Sequence, residues 1–107
     1  MMRNMKFHKY HALGNDYLVL NSVEKNYKEA GLSEENVRKI CHRNFGLGSD
    51  GILVGEKDIS GKGFKLKIYN PDGSMAEKSG NGIRIFAIFL WDRKIVNDSP
   101  FQIMTPG

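Results

Sequence analysis

The chain has 107 residues, 40% of them apolar and 26% charged, which is one domain's worth of globular composition with no mark of disorder. Sixteen Lys and Arg against twelve Asp and Glu give a net charge of +4, spread without a dense basic block, which argues against a nucleic-acid partner. No apolar run approaches the ~20 residues of a membrane span, the N-terminus is too polar for a secretory signal, and the single Cys41 excludes an internal disulfide or a multi-cysteine zinc site, so a cytoplasmic protein away from membranes is expected.

In chain order, Met5–Tyr10 and Tyr17–Asn21 read as strands flanking the turn-prone Gly14, Asn15 and Asp16, a hairpin pattern. Ser33 is a good N-cap for a helix over Glu34–His42, with Val37, Ile40 and Cys41 on one face and Gly46 just beyond. Ile52–Gly55 is a short apolar strand. Phe64–Asn70 alternates, placing Phe64, Leu66 and Ile68 on one face and Lys65, Lys67 and Tyr69 on a wet one. Asn70, Pro71, Asp72 and Gly73 make a turn. Ile83–Trp91 is apolar apart from Arg84, the pattern of a helix buried on all sides, and Phe101–Thr105 reads as a last strand. Such a helix needs wrapping, and the strands are what is available, so the expected fold is α+β, a mixed sheet rolled around a central buried helix.

Three glycine-bearing or polar motifs bear on chemistry. Gly46-Leu47-Gly48-Ser49-Asp50-Gly51 spells a dinucleotide fingerprint, but a helix precedes it and a strand follows, the reverse of what that fingerprint needs, so it reads as a tight structural loop. Ser79-Gly80-Asn81-Gly82 sits at the mouth of the apolar helix. Unpaired amides there face outward and the helix dipole favours negative charge, so this is either a cradle for a carboxylate or phosphate or an ordinary N-cap made by Ser79 or Asn81. Asn15, Asp16, Asn70, Asp72 and Asn81 are short polar residues at turns, each structural unless they converge on one pocket. His8, His11 and His42 show no metal spacing, and Cys41 on an apolar helix face reads as an inert buried thiol.

Four stretches in order, His11–Tyr17 (HALGNDY), Arg43–Asp50 (RNFGLGSD), Tyr69–Ser74 (YNPDGS) and Glu77–Arg84 (EKSGNGIR), make the chain resemble the N-terminal half of diaminopimelate epimerase over nearly its whole length. The resemblance implies a fold of two similar domains, each a mixed sheet rolled around a central helix, with the active site between them. It implies a cofactor-free reaction that inverts the α-carbon of LL-diaminopimelate to the meso form, on the way to lysine and peptidoglycan. In that family two cysteines face each other across the α-carbon, one thiolate base and one thiol acid, one from each domain. Carried over by position, Ser79 occupies the catalytic cysteine's slot, Asn15 and Asn70 match asparagines that hold substrate polar groups, and Gly80 and Asn81 match the backbone cradle for its carboxylate. Arg84 matches a motif arginine with no role assigned. Gly51 stands where some members carry a substrate-holding glutamine, so no binding role is carried onto it.

Residues 1–107 are read as one domain that stops where the family's first domain ends. The expected partners are then an amino-acid substrate and the second domain of the same chain, with a homodimer left open, and the piece by itself is expected to be inactive. A serine hydroxyl is a far weaker acid than a thiol of pKa ~8.5. Two other readings stand beside the epimerase: a related isomerase, racemase or dehydratase on another amino acid, and a non-catalytic amino-acid-binding module.

Overall fold

The computed structural model describes residues 7–20, 32–44, 46–58, 63–76 and 79–105. Its elements are β1 (Phe7–Ala12), β2 (Asn15–Leu20), α1 (Glu34–Cys41), β3 (Ile52–Lys57), β4 (Gly63–Tyr69), β5 (Met75–Ala76), α2 (Gly80–Asp92) and β6 (Gln102–Met104). The mixed six-stranded sheet runs β1-β2-β3-β4-β5, with β2 and β3 parallel and β6 pairing parallel to β4.

The first hairpin is tighter than the composition suggested. Leu13 and Gly14 both take positive φ, 58° and 82°, the signature of a two-residue primed turn whose twist matches its strands. Pairing therefore continues to Ala12 opposite Asn15, and Asn15 and Asp16, expected in the turn, are strand residues. The expected strand ends at Met5, Lys6 and Asn21 lie outside the described residues.

One face of the sheet packs on α2: Tyr17, Val19, Leu53, Phe64, Leu66 and Ile68 meet Ile85, Phe86, Phe89 and Leu90. The Phe89 ring lies 5.9 Å from that of Tyr10 on β1, and the Phe86 ring 6.2 Å from that of Phe64 on β4, both edge-on. Those strands are three spacings apart, about 14 Å in a flat sheet, whereas a helix is about 10 Å across. Both contacts to one helix require the sheet to curl around it, as expected. Gly55 lets this happen, because a Cβ there would run into the Phe86 ring.

Two expectations are corrected. α2 is not buried all round: Ile88 and Trp91 are 40% and 55% exposed and Arg84 is exposed beside them, so the curl leaves one stripe of the helix open. The other face of β4 is not wet throughout. Tyr69 is buried in a second cluster with Leu18, Leu20, Ile52, Val54 and the α1 residues Val37, Ile40 and Cys41, because α1 lies across the outer face of the sheet at that end. α1 itself starts as expected, its N-cap Ser33 accepting from the Asn36 amide. No described helix is long and apolar enough to cross a membrane.

Candidate active site

Register places several polar residues on one rim of the sheet. Leu18 is level with Ile52, Ile52 with Tyr69 and Tyr69 with Met75, so Tyr17, Gly51, Asn70 and Ser74 lie one step beyond that row, at the same end. α2 begins at this rim. It starts at Gly80, three residues before the apolar run, because Ser79 is an effective N-cap: its Oγ accepts from the Gly82 amide at 3.0 Å, and its carbonyl accepts from Ile83. The ordinary N-cap reading of this motif is therefore realised, by Ser79.

The cap leaves the front of the helix usable. The amides of Gly80 and Asn81 carry no hydrogen bond among the described residues, and a Cβ at Gly80 would meet nothing within 4 Å. Space in front of two outward amides at a positive helix end suits a carboxylate. The Ser79 Oγ is also 3.2 Å from the Tyr17 hydroxyl, which arrives from β2.

Behind the helix mouth runs a continuous polar chain. Asn81 Nδ2 donates to Asn15 Oδ1 at 2.6 Å and to the carbonyl of Leu13 at 3.3 Å, tying the helix to the first hairpin. Asn15 Nδ2 donates to Asp50 Oδ2 at 3.1 Å, and the same oxygen accepts the Asp16 amide at 2.9 Å. Arg43 donates from Nη1 and Nη2 to the two carboxylate oxygens of Asp16, and from Nη2 also to Asp50 Oδ1 at 2.9 Å. Lys9 Nζ stands 3.6 Å from Asp16 Oδ2. Hydrogen bonds from Arg43, reinforced by its charge and that of Lys9, hold the Asp16 carboxyl well below the usual carboxylate range even though its burial opposes this.

Of the residues expected at the site, Ser79, Gly80, Asn81 and Asn15 are therefore brought together. Asn70 shares the rim, but its side-chain Nδ2 donates to Ser74 Oγ at 3.0 Å within its own turn, so it is not joined to the other four. Asp72 caps that turn, accepting from the Ser74 amide and hydroxyl. Arg84 points outward along the open stripe of α2. Tyr17, Arg43 and Asp50 were not singled out from sequence. Arg43 and Asp50 did lie at the ends of the quoted RNFGLGSD stretch, whose spacing lets one guanidinium reach both acids.

Cys41 is buried against α1's neighbours, its sulfur accepting from Ser49 Oγ at 3.3 Å, and burial pushes its thiol pKa up, as an inert thiol requires. The Gly46–Gly51 loop is structural: Leu47, Gly48 and Ser49 donate their amides to the carbonyls of Ile40 and Cys41. Among the described residues there is no grouping of His, Cys, Asp and Glu able to hold a metal ion.

Comparison with known proteins finds related sequences over nearly the whole chain. A relative from a Nostoc species, named diaminopimelate epimerase 2, is 56% identical over 103 residues, covering 96% of this chain and 35% of the relative. Diaminopimelate epimerases from Methanocaldococcus jannaschii and Clostridium perfringens are each 40% identical, covering 96% and 94% of this chain and 35% and 36% of their own lengths. The chain thus spans about a third of the length of these relatives. With the family's sequence model matching residues 7–107, the whole described fold included, the chain belongs to the diaminopimelate epimerase family.

Proposed function

We propose that this chain supplies one wall of the active site of a cofactor-independent amino-acid epimerase that interconverts LL- and meso-diaminopimelate, the activity its relatives are named for. The observation that carries the reading is the helix mouth: a protic group at Ser79 standing beside two open backbone amides. An α-proton next to a carboxylate is very weakly acidic. Removing it without a cofactor needs a proton acceptor on one face, a donor on the other, and fixed dipoles where charge develops.

In this reading the amides of Gly80 and Asn81 hold the substrate carboxylate and Asn15 and Asn70 orient its polar groups. Ser79 faces the α-carbon at the position where the family places a cysteine. The opposite proton-transfer group comes from a second domain, and closing the two walls together excludes water. Asn15 arrives preorganised by Asn81 and Asp50, whereas Asn70 must exchange its bond to Ser74 for one to substrate.

The test is deuterium incorporation at the α-carbon of LL- and meso-diaminopimelate in heavy water, using the full-length protein as it stands and with Ser79→Cys. Exchange by both supports a working hydroxyl at Ser79. Exchange by the cysteine variant alone supports an epimerase scaffold silenced at one atom. Absence of exchange from both overturns the substrate assignment and leaves a different amino acid or a binding role.

A further inference from the structure

We infer that Tyr17 is a positioning residue for proton transfer at Ser79, its hydroxyl serving with the Gly82 amide as one of two donors that favour the deprotonated form of whatever group stands there. The inference rests on the proposed proton-transfer role of that position. Its geometric basis is that both donors meet on one atom, the Gly82 amide at 3.0 Å and the Tyr17 hydroxyl at 3.2 Å from Ser79 Oγ.

With Ser79 neutral, either hydroxyl can donate to the other. Once the group at that position gives up its proton it has none left to offer, and Tyr17 must donate. Hydrogen bonds to an anion are about twice as strong as those between neutral partners, so the pair of donors lowers the free energy of the anion more than that of the acid. This is the arrangement of an oxyanion hole, turned toward a side chain of the protein itself.

Tyr17 is held for this task by its surroundings. It is 8% exposed, within the cluster that packs on α2. Its ring crosses the backbone at Gly51, where a Cβ would lie 2.9 Å from Tyr17 Cε1 and 2.5 Å from the carbonyl oxygen of Tyr69. The absence of a side chain at Gly51 therefore leaves the ring its place under the helix mouth. Gly51 and Tyr17 act as a matched pair.

The experiment uses the full-length protein carrying Ser79→Cys, whose introduced thiol reports the anion directly. The pH dependence of its alkylation by iodoacetamide is read on the peptide bearing position 79, with Tyr17 intact and with Tyr17→Phe, and urea unfolding is followed on the same samples. Removal of the hydroxyl is expected to raise the alkylation midpoint by about one pH unit, an approximately tenfold loss of thiolate at fixed pH, with the unfolding midpoint little changed. An unmoved alkylation midpoint overturns the inference. Should Tyr17→Phe fail to fold, fluorotyrosine incorporated at all tyrosines, a stronger donor of nearly the same shape, is expected to lower the midpoint, and no change there overturns the inference equally. Alkylation needs no substrate, so failure of the deuterium-exchange test leaves this result readable by itself.

Discussion

Arg43 grips Asp16 with two hydrogen bonds of 3.1 Å each, Nη1 to Oδ2 and Nη2 to Oδ1, across 27 residues of sequence. This fork joins the segment after α1 to the second strand. It also fixes the shape of the loop that carries Asp50, whose own amide donates to the Asp16 carbonyl at 2.8 Å.

The fork predicts how stability depends on acid. The Asp16 carboxyl is depressed in the folded state, so its stabilisation is fully present above the unfolded value of about 3.9 and is lost as pH falls from there through the native value. Urea midpoints measured between pH 6 and pH 2 should fall steeply below about pH 4, and less steeply in Asp16→Asn. Equal acid slopes in the two proteins would show that the fork contributes nothing to folding.

The contact between Asn81 and Asn15 predicts an energetic coupling between the helix mouth and the hairpin. Asn81→Ala and Asn15→Ala should each cost about 1 kcal/mol, and the double variant should cost less than the sum by about 0.5 kcal/mol or more. A double-mutant cycle by chemical denaturation measures this, and strict additivity would mean the 2.6 Å contact carries no energy of its own.

Gly55 and Phe86 predict a case of overpacking. Gly55→Ala drives a methyl group into the Phe86 ring and should destabilise by about 1–3 kcal/mol. Phe86→Leu, which removes the ring, should recover part of that loss in the double variant. If Gly55→Ala is as stable as the parent in thermal unfolding, the sheet has room to flatten and the ring is not what limits its curl.

Ser79 has a structural duty separable from the chemical one proposed for it. Ser79→Ala removes the acceptor for the Gly82 amide and should cost about 1 kcal/mol, while Ser79→Asp, which still caps and adds favourable charge at a helix start, should cost less. Thermal midpoints of the three proteins give the order directly. Alanine equal to serine would mean that the cap is idle.

Cys41 offers a probe of opening. With its thiol buried and its pKa raised, it should resist an aromatic disulfide reagent in the native state and react at a rate set by unfolding. Prompt stoichiometric labelling under native conditions would contradict the packing of α1 on the sheet.

Local features were the legible ones. The Ser33 cap, the alternation of Phe64, Leu66 and Ile68 and the glycine of the first hairpin each act within a few residues, where propensity and pattern decide the outcome. What stayed hidden depends on partners distant in the chain. Tyr69 alternates with lysines like a wet residue and is buried only because α1 covers that end of the sheet. The apolar run of α2 overstated its burial because nothing in a single helix says how far a sheet will curl around it. The polar chain from Asn81 to Arg43 draws on four separate segments, and its members look like ordinary turn and loop residues until the strands are in register. Asn70 reaches the rim where α2 begins, yet its bond to Ser74 is a local choice that its position in a family motif does not reveal.

β5, which precedes α2, and β6, which follows it, share one side of β4, pairing with Ile68–Tyr69 and with Gly63–Lys65 respectively. The body of α2 packs over β1, β2 and β3, while the strands before and after it are both paired to β4. The bearing of Ser79 is thus tied, through the strands on either side of its helix, to β4, the same strand whose end at Tyr69 borders the rim.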